Sequence, residues 1–126
     1  MLEIKPIEDK KTQKEYCVLC GVSYKADDMA YGASEGGKLL GVCQFRIGNG
    51  TGYIHDLICA DGVDDFEALF LMGRQTLNFI DLCGVHKAEF CGEESRLTRA
   101  IGFKRDGGKL TMDLEGFFIE PCSHKK

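Results

Sequence analysis

Hydrophobic and polar positions along the chain switch period several times, and each switch marks an element. Residues 1–7 alternate as a strand, closed by Pro6. Over residues 8–20 the period becomes helical. Tyr16, Leu19 and Cys20 share one face, charges lie opposite, and Gly21 is a C-terminal stop. A polar connection, residues 21–28, leads into three strand-like stretches at 29–35, 38–47 and 51–59. Gly36-Gly37 and Gly48-Asn49-Gly50 between them supply the positive φ angles of tight hairpins, so an antiparallel meander is predicted.

The clearest helix follows. Asp64 with Glu67 three residues on reads as a capping box, and Phe66, Leu69, Phe70, Gly73, Leu77 and Ile80 recur at helical spacing up to Gly84. Gly73, at a propensity cost of about 1 kcal/mol, predicts close approach of another element. Residues 87–91 read as a short strand and 93–101 as a short helix. Extended chain resumes at 102–105, breaks at Asp106-Gly107-Gly108, and ends in a strand over 110–119 before Pro121. The predicted order is β-α-βββ-α-β-α-β(β). It is an α/β (α+β) domain over residues 1–126, with a mixed, mostly antiparallel sheet of six to seven strands and helices on both faces.

Composition narrows the function classes. A chain of 126 residues, 44% hydrophobic and 29% charged, suits one core with a soluble surface. No apolar run approaches the roughly 18–20 residues that span a bilayer, and residues 1–6 lack the charged-then-apolar pattern of a secretory signal, so a cytoplasmic location and no membrane partner are expected. A formal net charge of −4, with lysines gathered near both ends, argues against nucleic acid. The odd count of seven cysteines, several of them in apolar segments (Cys43, Cys59, Cys83, Cys91), predicts reduced, mostly structural thiols.

The element order resembles that of the GNAT (acyl-CoA N-acyltransferase) superfamily, and two local patterns support the likeness. Tyr53-Ile54-His55-Asp56-Leu57-Ile58-Cys59 is similar to the family's fourth strand. Leu97-Thr98-Arg99-Ala100-Ile101-Gly102-Phe103 is similar to its Tyr-x-x-x-Gly-Phe segment, with Gly102 just past the helix end. The resemblance implies a sheet that splays between its fourth and fifth strands to admit the pantetheine arm of acetyl-CoA or another acyl-CoA. It implies cofactor contacts along Leu57, Ile58 and Cys59 and near Cys91, and acyl transfer to a small-molecule or peptide amine. It places His55 where relatives carry a proton-accepting glutamate, beside Asp56, and Thr98 where many carry the tyrosine that protonates the leaving thiolate. The 21–28 connection is short for the second helix that walls the acceptor site in the family, so the resemblance implies a groove that is either open or completed by another subunit, in a homodimer.

The chain also departs from that pattern. Where the family has an Arg/Gln-x-x-Gly-x-Gly/Ala phosphate loop, this sequence reads Asp61-Gly62-Val63-Asp64-Asp65-Phe66-Glu67. A carboxylate about 6 Å from a phosphate charge costs roughly 0.7 kcal/mol in water and about 3 kcal/mol at an effective dielectric of 20. Several of them offset the roughly 0.3–2 kcal/mol that a helix end offers an anion. The alternative reading is therefore a non-catalytic binding module on the same fold.

Each candidate has a plainer alternative. His55 reads as a general base or as a strand histidine satisfied by a neighbour. Strict alternation points Asp56 to the opposite face from His55, unless a bulge intervenes as it does in the family's strand. Glu89 and Glu93 are reserve bases or solvated strand-end charges. Cys17-Val18-Leu19-Cys20 is a CxxC, but it closes a helix instead of opening one, and no second pair completes a zinc site, so no metal is expected.

Overall fold

The computed structural model describes residues 1–117. The elements run β1 (Leu2–Pro6), α1 (Lys10–Cys20), β2 (Met29–Glu35), β3 (Lys38–Gly48), β4 (Thr51–Cys59), α2 (Phe66–Leu82), β5 (Lys87–Phe90), α3 (Arg96–Ile101), β6 (Lys104–Asp106) and β7 (Lys109–Asp113). They form the predicted order, with one seven-stranded sheet ordered β1-β2-β3-β4-β5-β7-β6. Every neighbouring pair is antiparallel except β4 and β5, which run parallel.

Alternation along β3 sets the two faces. Gly41, Cys43 and Phe45 look toward α2. A Cβ on Gly41 would meet Leu69, Thr76 donates to Cys43 Sγ at 3.4 Å, and Phe45 lies edge-on to Phe79. Val42 and Gln44 look toward α1, where Val42 packs with Cys20 and Gln44 accepts from Gln13 Nε2 at 2.9 Å. The main core lies on the α2 side, built around Phe45, Ile54, Met72, Leu77, Ile80, Ile101 and Leu114. Two glycines let α2 seat. A Cβ on Gly52 would stand 2.6 Å from Ile80 Cδ1, and one on Gly73 would stand 2.7 Å from Ile101 Cδ1. The close approach predicted at Gly73 is thus present.

Several boundaries differ from the sequence reading. Helix α1 starts at Lys10, where Asp9 caps it by accepting from Lys11 and Thr12 N–H, and Gly21 ends it in the left-handed conformation at φ 70°. Its buried stripe is Gln13, Cys17 and Cys20, whereas Leu19 is 52% exposed. The cap of α2 is Asp65, accepting from Ala68 N–H at 3.0 Å, so the predicted Asp64–Glu67 box does not form. Helix α3 begins later than predicted, after a capping box between Ser95 and Thr98. Strand β7 ends at Asp113, shorter than the predicted 110–119, and residues 118 and 119 lie outside the described range.

Candidate active site

The sheet parts between β4 and β5. Strands β4 and β5 pair as Gly52↔Ala88, Tyr53↔Glu89 and Ile54↔Phe90, and Cys91 N–H then donates to Ile54 C=O at 2.9 Å. Beyond that bond β5 has ended and the chain turns toward α3, while β4 runs on to Cys59 paired only with β3. Among the described residues, the main chain of 55–59 therefore has no strand partner on the β5 side.

A β-bulge sits where the opening starts. In the β3–β4 register Gln44 faces Asp56 and Phe45 faces Ile54, so His55 is an extra residue on β4. Before the bulge, Gly52 and Ile54 point to the α2 side; after it, Leu57 does, standing 3.1 Å from where a Gly73 Cβ would be. His55 and Asp56, side by side in sequence, both turn the other way and meet the 21–28 connection. Strict alternation is broken here as the resemblance implied, and the two side chains share one surface.

His55 Nδ1 lies 2.6 Å from Asp28 Oδ2, with the His55 side chain 24% exposed and that of Asp28 3%. Asp56 Oδ2 accepts from Lys25 Nζ and from Gln44 Nε2, each at 2.7 Å. Gln44, fully buried, ties the group together. Its Oε1 accepts from Gln13 Nε2 at 2.9 Å and from Lys25 N–H at 3.0 Å, and its Nε2 also donates to Ser23 C=O at 2.9 Å. All four hydrogen-bonding positions of the amide are filled. The 21–28 connection is consequently pinned to β3, β4 and α1. Lys10 Nζ adds a bond to Asp28 C=O, and Asp28 N–H donates to Lys25 C=O at 3.1 Å.

The other predicted residues are scattered more widely. Leu57 is buried, Ile58 is 39% exposed, and Cys59 Sγ lies 3.9 Å from Asp65 C=O, all on the unpaired length of β4. Cys91 is exposed at the end of β5; desolvation and then the charge of Glu89 hold its thiol above the ordinary value. Thr98 is buried, and its hydroxyl both accepts from Ser95 N–H and donates to Ser95 C=O. Its one proton is already engaged within α3. Glu89, Glu93 and Glu94 line a cavity of about 600 Å³ with Arg99, Arg105 and Lys109. There Glu94 pairs with Arg105 at 3.1 Å and Glu89 with Lys109 at 3.9 Å.

The CxxC thiols are buried under α1. Burial pushes Cys20 up to about 12, with the neighbouring Cys17 and Cys59 adding to it, and burial raises Cys17 as well. Such thiols are poor nucleophiles and poor metal ligands. Among the described residues no group of three or more His, Cys, Asp or Glu side chains is arranged to hold a metal ion, and no helix is long and apolar enough to cross a membrane.

Asp28, Lys25, Gln44 and Gln13 escaped the sequence reading, as did Arg96. The Arg96 guanidinium lies 3.9 Å over the Phe66 ring, which puts a cation beside the first turn of α2.

No protein-family model and no curated protein sequence matches the chain. Solved structures do match its fold. An IAA acetyltransferase from Bacillus cereus superposes with a TM-score of 0.73 at 18% identity, covering 90% of this chain and 100% of that one. A spermidine/spermine N-acetyltransferase from Vibrio cholerae gives 0.72 at 11% identity, covering 93% and 97%. A GNAT family acetyltransferase from Brucella melitensis, in complex with acetyl-CoA, gives 0.70 at 14% identity, covering 90% and 88%. The chain has the GNAT fold. The parting of β4 from β5 and the bulge in β4 are two features of the strand that the GNAT resemblance implied.

The residues present fit an acyl-CoA only in part. The unpaired edge of β4 suits an amide-containing arm, whose polar groups need main-chain partners. The first turn of α2 suits a pyrophosphate poorly, because the Asp65 carboxylate already accepts from Ala68 N–H and Asp61 and Asp64 are exposed beside it.

Proposed function

We propose that this protein is an acetyl-CoA-dependent N-acetyltransferase that acts on an amine, with His55 as general base. The observation that carries this reading is the parting of β4 from β5 at Ile54, together with the bulge that brings His55 and Asp56 to one surface beside it. Acyl-CoA, when bound, supplies the activated acyl group. The protein's own part is to offer the main-chain groups of residues 55–59 to the arm and to receive a proton from the attacking amine at His55 Nε2. With Nδ1 engaged by Asp28, Nε2 is the ring nitrogen left to do so. Thr98 is not needed as an acid in this scheme, because a thiolate leaving group with an ordinary thiol pKa of about 8.5 takes its proton from water. The acceptor is a small-molecule or peptide amine.

The experiment is a thermal-denaturation titration with acetyl-CoA, paired with detection of free CoA thiol over a panel of amines. Binding at one hundred times Kd adds about 2.7 kcal/mol, a rise of several degrees for a domain of this size. An unchanged Tm at millimolar acetyl-CoA is incompatible with the reading.

One observation favours a second reading, a GNAT-fold module that binds without transferring. The acidic start of α2, capped by Asp65 from within, weakens the phosphate grip on which a CoA enzyme depends. Arg96 stacked on Phe66 works in the opposite direction, since it returns one positive charge to the same end of the slot. Indifference to CoA in a folded protein selects the module.

A further inference from the structure

We infer that Asp28 is the positioning residue of His55, fixing its tautomer and its ring orientation through the Nδ1 bond. The catalytic part of this inference rests on the reading of His55 as base; the structural part does not.

Asp28 is the last residue of the 21–28 connection, 2% exposed, immediately before β2. A carboxylate so far from water needs a donor, because an unpaired buried polar group is costly. His55 Nδ1–H at 2.6 Å is that donor. The bond then dictates the rest of the ring. A neutral imidazole carries one N–H, so a proton held on Nδ1 by Asp28 leaves the Nε2 lone pair bare. The carboxylate itself cannot drift. The Asp28 backbone N–H donates to Lys25 C=O, its backbone C=O accepts from Lys10 Nζ, and Gln44 clamps the connection through Ser23 and Lys25. Alternation from Ile54 sends His55 to the face where this carboxylate lies, and the bulge keeps Asp56 on the same face, so that Asp56 holds Lys25 of the connection beside the ring. A pinned loop and an inserted strand residue thus frame one hydrogen bond.

The same arrangement assigns different work to Asp56. Its Oδ2 is bonded to Lys25 and Gln44, so it holds the connection to β4 and does not touch the ring.

The test begins with the unmodified protein. Two-dimensional ¹H–¹⁵N correlation of the histidine ring nitrogens, at a pH near 9 where imidazoles are neutral, reports the tautomer directly. The expected result is His55 protonated on Nδ1; protonation on Nε2 overturns the inference without any variant having to fold. The variant Asp28→Asn offers an amide N–H to the same nitrogen. It is expected to shift His55 toward the Nε2–H form, and to lower kcat by about 100-fold or more while the KM for acetyl-CoA stays within about twofold, in line with the 10²–10⁴ range of general-base contributions. Wild-type tautomer and wild-type kcat in folded Asp28→Asn overturn the inference while leaving His55→Ala to decide the transferase reading. A protein with the Nδ1–H tautomer and no transferase activity keeps the positioning and discards the transferase.

Discussion

Gln44 is the side chain whose loss tests the site most directly. Replacing it with leucine keeps roughly the same volume in a fully buried position and deletes four hydrogen bonds at once, to Gln13, Lys25, Ser23 and Asp56. Not all four losses are equal. Ser23 C=O retains Lys25 Nζ at 3.4 Å, Gln13 Nε2 retains Lys25 C=O at 3.3 Å, and Asp56 retains Lys25 Nζ. Lys25 N–H loses its described acceptor, and Asp56 loses one of two donors in a site only 14% exposed. Leaving a buried polar group unmet costs about 1–3 kcal/mol, so Gln44→Leu is expected to destabilise by about 2–4 kcal/mol. That corresponds to a fall in Tm on the order of 10 °C for a domain of this size. Urea denaturation followed by circular dichroism supplies the free energy, and the slope with denaturant must stay constant for the comparison to hold. A Gln44→Leu protein as stable as wild type would refute the reasoning, because it would mean that those groups find water or other partners without the amide.

Three other expectations follow from packing, capping and titration. Gly52→Ala sets a methyl against the buried Ile80, and should cost about 1–3 kcal/mol; pairing it with Ile80→Val should recover part of that loss in a double-mutant cycle. Asp65→Ala removes the cap of α2 and should lower stability by about 1 kcal/mol in the same urea assay, whereas Asp64→Ala should leave it nearly unchanged. Cys20 and Cys43, both pushed up to about 12 by burial, stay protonated in the folded state after unfolded thiols have ionised. The unfolded chain then binds fewer protons, so unfolding free energy should be fully present below about pH 8.5 and decline as pH rises toward 12, as measured by denaturation across that range.

The fold was legible because its punctuation is local. Gly36-Gly37 and Gly48-Asn49-Gly50 mark the hairpins, and glycines at 37 and 50 and Asn49 do take positive φ. Where two neighbours were equally eligible the reading slipped: Asp64 and Asp65 can each cap a helix, and backbone geometry selects the second. Leu19 was misplaced because periodicity favours an apolar residue inside α1. The buried place went to Gln13, whose amide is satisfied by Gln44 across 31 residues of sequence. The site followed the same division. His55 and Asp56 stand out on their strand, and the resemblance pointed to them. Asp28 did not, since nothing within residues 21–28 distinguishes one of two adjacent aspartates until β4 is folded beside it. Thr98 reads as a free hydroxyl in one dimension, and only the turn before α3 reveals that Ser95 holds it at both ends.

The inserted residue on β4 makes the length of that strand matter as much as its chemistry. Shortening the strand by one residue at position 55 would restore unbroken pairing with β3. Asp56 would still face Gln44, and Leu57 would still face α2, because plain alternation from Ile54 already puts those two residues on those faces; only the His55 ring would be lost. The strand therefore carries His55 as an addition to a framework that pairs without it, so a deletion at that position would separate the candidate base from the packing on either side of it.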